Sequence, residues 1–217
     1  MSSPATSAAP VAGPIAIGAL DLAALLCSRV CHDLISPVGA IVNGLEVLDE
    51  DKDEETRIFA LDLIKKSARQ ASAKLQFCRL AFGAAGSAGA QIETGDAETV
   101  ARGLIEDGKT TIVWKLPREL VAKNRVKLLL NMLIVACASI PRGGSLTVEA
   151  ADGGYRVTAA GLNARLTPAT AELLAGSPAQ AVDAHAIQPL YTGILARDCG
   201  LTVSTAFEGE AVVVAAR

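Results

Sequence analysis

The sequence predicts an α+β protein, an N-terminal helical hairpin followed by an α/β sandwich, and three observations carry that reading. Apolar residues recur at steps of three and four from Leu20 to Leu48 and again from Leu61 to Phe82, the period of amphipathic helices. The run Gly83 to Ala90, G-A-A-G-S-A-G-A, then interrupts the pattern with no bulky side chain, as a linker does. Beyond it, helix-like and strand-like segments are interspersed to the end of the chain.

In the first helix Leu22, Leu26, Val30, Leu34, Val38, Ile41, Leu45 and Leu48 form one apolar stripe. The acidic run Asp49 to Glu55 offers Asp51 and Asp53 as N-caps for a second helix, with Glu54 and Glu55 suited to its dipole. That helix carries Leu61, Ile64, Ala68, Ala71, Leu75, Cys78 and Phe82 at heptad spacing. Leu25, Ile35, Ile58, Phe59 and Phe77 lie off both seams, so one hairpin leaves apolar surface uncovered, and a dimeric four-helix bundle is expected. In the second half, helices are expected at Ala97 to Glu106, Arg118 to Ser139, Pro168 to Ala175 and Ala184 to Asp198. Strands are expected at Thr110 to Leu116, Ser145 to Ala150, Tyr155 to Ala159, Leu201 to Phe207 and Glu210 to Ala215. Asp152-Gly153-Gly154 and Gly209 should form the hairpin turns. The divisions are therefore residues 1–17, an Ala/Ser/Pro-rich tail; 18–83, the hairpin; 84–90, the linker; and 91–217, the α/β domain.

A net charge of -3, from 20 basic and 23 acidic residues, offers no general attraction to nucleic acid. Neither a basic leader nor an unbroken apolar run of bilayer length is visible, the longest runs resembling Leu128 to Ala138. No membrane association and a cytoplasmic location are expected. The cysteines Cys27, Cys31, Cys78, Cys137 and Cys199 lack paired metal-ligand spacing and read as small core residues in a reducing compartment. Trp114 and Tyr155 fall in strand-like runs and read as core or interface residues, and His185 as a surface or capping residue.

His32 stands apart. At about 100° per residue it lies well away from Val30 and Leu34, so it should face solvent, with Arg29, Ser36, Gly39 and Asn43 on the same face. Gly39 would let another protein approach the ring closely, at the expense of helix propensity. A neutral imidazole is abundant at cytoplasmic pH and can attack phosphorus without a strong base. The adjacent Asp33 is placed to orient the ring by accepting its other N–H. An ordinary exposed histidine is the competing interpretation from exposure alone.

The segment Cys31 to Val38, C-H-D-L-I-S-P-V, resembles the H-box of sensor histidine kinases, an exposed histidine followed by an acid and, five residues on, by proline, here Pro37. The resemblance implies a dimerisation and phosphotransfer bundle bent beside the phospho-acceptor, with Ser36 where members with phosphatase activity carry a polar residue. In such kinases an ATP-binding sandwich of the gyrase and heat-shock-protein type, the Bergerat fold, follows the bundle. Its boxes are degenerate here. Asn131 to Ala136 resembles N-L-L-x-N-A, but Val135 replaces the second asparagine and offers no oxygen to magnesium. Ala159 stands where an aspartate would read adenine, and Tyr191-Thr192-Gly193-Ile194 keeps one glycine of the later box.

An intact histidine hairpin joined to a degenerate ATPase-like domain is similar to the alphaproteobacterial ChpT-type histidine phosphotransferases. That likeness implies a homodimer with no cofactor of its own, relaying phosphate from the receiver domain of a hybrid histidine kinase to response-regulator receivers in cell-cycle signalling. Magnesium would belong to the partner receiver. The rivals are an active ATP-dependent histidine or anti-sigma-type serine kinase, and a non-catalytic dimeric scaffold.

Overall fold

The computed structural model describes residues 17–50, 53–83, 90–177, 182–184 and 186–217. The hairpin consists of α1 (Ala19–Glu50) and α2 (Glu54–Ala81). Asp53 caps α2, its carboxylate accepting from the Thr56 N–H and hydroxyl at 3.0 Å each, bonds that also hold its pKa below the usual carboxylate value. The alternative cap Asp51, the linker glycines and alanines 84–89, and His185 lie outside the described residues.

The helix stripes differ from the heptad reading. Within the chain α1 buries Pro37 and Gly44, and α2 buries Ala60, Ser67, Ala71, Phe77 and Ala81. Gly44 explains the close crossing: a Cβ there would stand 2.7 Å from the Ile64 side chain. Val38, Leu45, Leu61 and Leu75, expected to be buried by the seams, are instead exposed, whereas Phe77, expected off the seam, is buried. Small residues bring the axes together and rotate the larger ones outward.

The chain continues with β1 (Gln91–Glu93), α3 (Thr94–Ile105), β2 (Thr110–Trp114), β3 (Leu120–Ala122), α4 (Lys123–Ala138), β4 (Gly144–Ala151), β5 (Gly154–Ala160), α5 (Pro168–Ala175), α6 (Ile187–Asp198), β6 (Val203–Glu208) and β7 (Ala211–Ala216). The five-stranded sheet has the order β2-β4-β5-β7-β6, with β2 and β4 parallel and the other pairs antiparallel. Asp152 and Gly153 turn β4 into β5 with φ of 47° and 76°, the paired positive values of a tight hairpin.

Three helix starts move from their expected places. Leu120–Ala122 leaves the expected 118–139 helix to pair with Gln91–Glu93. The Thr94 hydroxyl, bonded to Pro117 O and Glu119 N, fastens that ribbon and lets α3 begin at Thr94. The last helix likewise begins at Ile187 rather than Ala184, after the Asp183 carboxylate has accepted the Ala186 N–H at 2.8 Å.

The core centres on α4, which packs Leu128, Leu129, Leu130, Met132 and Leu133 out of solvent. Phe77 and Ala81 from the root of α2 join the same core, while Ile17, Leu22, Leu25 and Leu26 flank a smaller cluster of Leu173, Ile187 and Leu190. The hairpin is thus rooted in the sandwich at both ends of its base. By length and composition alone α1 could cross a bilayer, which revises the expectation that every apolar stretch is too short; the apolar residues are dispersed around a helix rather than concentrated in one run. Cys27 and Cys31 are exposed on α1, not in the core as expected.

Candidate functional site

The site begins with a break in backbone bonding. Pro37 lies inside α1 and has no N–H to give the carbonyl of Asp33, four residues earlier. Lys74 of α2 supplies the missing donor, its Nζ lying 2.7 Å from Asp33 O. The Asp33 carboxylate is held separately: Oδ2 accepts from Arg29 Nε at 2.9 Å, one helical turn back. Asp33 Oδ1 then faces His32 Nδ1 at 3.5 Å, longer than an ordinary hydrogen bond. His32 keeps 65% of its side-chain surface accessible.

The other expected members of this face separate into two groups. Ser36 and Asn43 are exposed, and a Cβ on Gly39 would meet nothing within 4 Å, so the surface along α1 beside His32 is open and slender. Arg29 instead turns inward. It reaches the junction with the sandwich, where it lines a cleft of about 420 Å³ together with Ile134, Val135, Thr167, Leu173 and Pro189. Thr170, Asp183 and Gln188 also line it, and among the described lining residues Arg29 alone is basic, so little positive charge faces a triphosphate there.

The degenerate boxes have packing roles. Asn131 is fully buried, its Nδ2 donating to Ala81 O at 3.1 Å and Lys127 O at 2.8 Å while its Oδ1 accepts from Gln188 Nε2 at 2.5 Å. It ties α2, α4 and α6 together. Val135 lines the cleft, and Ala159 is enclosed in β5 opposite Leu146 and Val212. Gly193 lies inside α6, and a Cβ there would be 2.1 Å from Leu174 O. Close packing of α5 on α6, rather than approach to a phosphate, accounts for this glycine. No cluster of His, Cys, Asp and Glu able to hold a metal occurs among the described residues.

Sequence reasoning missed Lys74, Gly44 and Gln188. The signal for Lys74 was present in Pro37, because a proline within a helix orphans a carbonyl that a neighbouring element must satisfy. Choosing Lys74 as that neighbour required the register of α2 on α1. Trp114 packs beside the core, and Tyr155 is buried with the Arg125 guanidinium 5.4 Å from its ring centroid.

Comparison with known proteins agrees with this architecture. The chain is 50% identical over 208 residues to the protein phosphotransferase ChpT of Brucella abortus (strain 2308), covering 94% of this chain and 98% of that protein. It matches a solved 1.7 Å bacterial phosphotransferase structure with a TM-score of 0.81 and 47% identity, over 94% of this chain and 99% of the other. The family model for the histidine phosphotransferase C-terminal domain spans residues 94–211, so the half of the chain without the exposed histidine carries the family signature by itself, and together these likenesses place the protein in the histidine phosphotransferase family.

Proposed function

We propose that the protein relays phosphoryl groups through His32 in a multistep phosphorelay. The observation that carries the proposal is the accessible His32 imidazole beside a braced Asp33 in a member of the histidine phosphotransferase family. When the 3.5 Å approach of Asp33 Oδ1 to Nδ1 tightens to a hydrogen bond, that nitrogen keeps the ring proton and Nε2 presents its lone pair. Nε2 attacks the phosphorus of a receiver's aspartyl phosphate, the acyl P–O bond breaks, and the aspartate leaves as a carboxylate. The reverse exchange loads the next receiver. Magnesium in this scheme sits on the receiver, which belongs first to a hybrid histidine kinase and then to a response regulator.

The chain needs no ATP site for this relay. Val135 supplies no oxygen ligand, and Ala159 supplies no polar contact for a base. An active kinase would require both functions from other residues. Exposed apolar residues on the hairpin support a homodimer: Ile35, Val38, Val42 and Leu45 line α1 at steps of three and four, and Ile58, Phe59, Leu61 and Leu75 are exposed on α2. A second hairpin covering them completes a four-helix bundle. A cytoplasmic location suits exchange with receiver domains and the exposed thiols Cys27 and Cys31.

Incubation with a phosphorylated receiver domain tests the central claim. Acid-labile, base-stable phosphate should appear on the wild-type chain and fall to background in His32→Ala with the fold retained. Labelling that survives the substitution would assign the carrier elsewhere; absence of labelling with every receiver tried would favour the scaffold reading.

A further inference from the structure

We propose that Lys74 is a positioning residue for phosphotransfer, acting from α2 on the backbone turn that carries His32 and Asp33. The inference rests on His32 as the phosphate carrier and adds to it a part played by the second helix. Pro37 is buried, and its ring leaves the Asp33 carbonyl without the helical N–H it would otherwise receive. Such a carbonyl must find another donor or remain unpaired at a half-buried junction. Lys74 Nζ is that donor at 2.7 Å, from a residue 41 positions away.

The arrangement links both ends of Asp33. Its main-chain oxygen is held by Lys74, its Oδ2 by Arg29, and its Oδ1 faces His32 Nδ1. A shift of this turn therefore displaces the carboxylate that orients the imidazole. Arg29 pairs with the Asp33 carboxylate and Lys74 with its main-chain oxygen, and the nearby Cys78 thiol is pushed above its ordinary pKa by burial first and by Asp33 second, so it adds no competing anion. Loss of the ammonium should let the bend at Pro37 vary while the helices stay paired through Gly44, Ala60, Ser67 and Ala71. Lys74 touches no phosphorus in this scheme. Its contribution is geometric, and a displacement of even about 1 Å at a reacting group lowers rates substantially.

The discriminating experiment is a double-mutant cycle on the full-length protein, read by rapid-quench transfer from a phosphorylated receiver. Lys74→Met, which keeps most of the stem, should lower the saturating transfer rate constant about 10-fold while leaving the half-saturating receiver concentration within about two-fold, and Lys74→Arg should recover most of the loss. Pro37→Ala returns an N–H to the helix. In that background Lys74→Met should change the rate constant by less than about two-fold, because the Asp33 carbonyl then has its own partner.

Hydrogen exchange across residues 33–39 supplies a readout independent of catalysis. Exchange should accelerate in Lys74→Met and return towards the wild-type rate when Pro37→Ala is added. An equal Lys74→Met defect with and without Pro37, or unchanged rate and exchange in the single variant, would overturn the proposal. Should Lys74→Met fail to fold, Lys74→Gln carries the same cycle. Failure of the wild type to label His32 would refute the carrier reading instead, while the exchange cycle would still judge the hydrogen bond.

Discussion

In α4 the side chains of Leu128, Leu129, Leu130 and Leu133 are closed off from solvent, whereas in the middle of α1 Ile35, Val38, Val42 and Leu45 point outward, Ile35 with 70% of its surface exposed. Both helices are rich in apolar residues, but their surroundings differ. The α4 helix lies under a sheet and against α2, α3 and α6, which enclose most of its circumference. The α1 helix has α2 along one side and α6 near its start, and the rest is uncovered. A helix apolar beyond one stripe needs a neighbour for each stripe. The sandwich finds its neighbours within the chain, whereas the outward stripe of α1 is left for the proposed second copy of the hairpin, and His32, the proposed phosphate carrier, stays accessible one turn before that stripe begins at Ile35.

Charging the outward stripe is the severest way to break this contrast. Ile35→Glu with Leu45→Glu should convert a dimer to a monomer, weakening association at least ~100-fold because carboxylates would be forced into an apolar interface. Analytical ultracentrifugation at micromolar concentration measures the change. A monomeric wild-type protein under the same conditions would show that the stripe serves something other than self-association.

The sandwich side is tested at Asn131. Replacing it with Leu removes the donors to Ala81 O and Lys127 O and the acceptor for Gln188, at roughly 2–4 kcal/mol of unfolding free energy. Denaturant titration should report that loss. A loss below ~0.5 kcal/mol would remove Asn131 from its role as the tie between α2, α4 and α6.

Two glycines on α1 sharpen the comparison within one helix. Gly44→Ala places a methyl 2.7 Å from Ile64 and should cost about 1–3 kcal/mol through overpacking. Gly39→Ala meets open space and should stabilise the helix by about 0.5–1 kcal/mol. If Gly39 serves receiver approach, the stabilised variant will nonetheless accept phosphate more slowly. Equal stability changes at the two sites would contradict the crossing geometry.

The smallest expected effect concerns thiols. Cys27 and Cys31 are exposed, but Cys78 is part-buried with its pKa raised by desolvation and by Asp33. A higher pKa means less thiolate at neutral pH. Alkylation at pH 7.5 should therefore modify Cys27 and Cys31 before Cys78 by several-fold or more, as peptide mass spectrometry would show. Simultaneous modification of all three in the native protein would place Cys78 at an open surface.

By itself the sequence determined the order of nearly all elements and the place of His32, the proposed phosphate carrier, on an accessible face of α1. Periods of 3.6 and two residues, the Asp53 cap and the Asp152-Gly153 turn are local, and each follows from a few neighbouring residues. His32 was legible for the same reason, since its place on α1 depends only on helical geometry and on the H-D-x-x-x-P segment around it. Tertiary structure decided which apolar stripe faced inward, because small residues at Gly44, Ala60 and Ala71 set the approach of two helices whose rotation no single stripe specifies. It also paired Leu120–Ala122 with Gln91–Glu93 and recruited Asn131 as a buried tie. Lys74 belongs to that second class: Pro37 announced an orphaned carbonyl, but only the packing of α2 on α1, across 41 residues of chain, selected the ammonium that satisfies it.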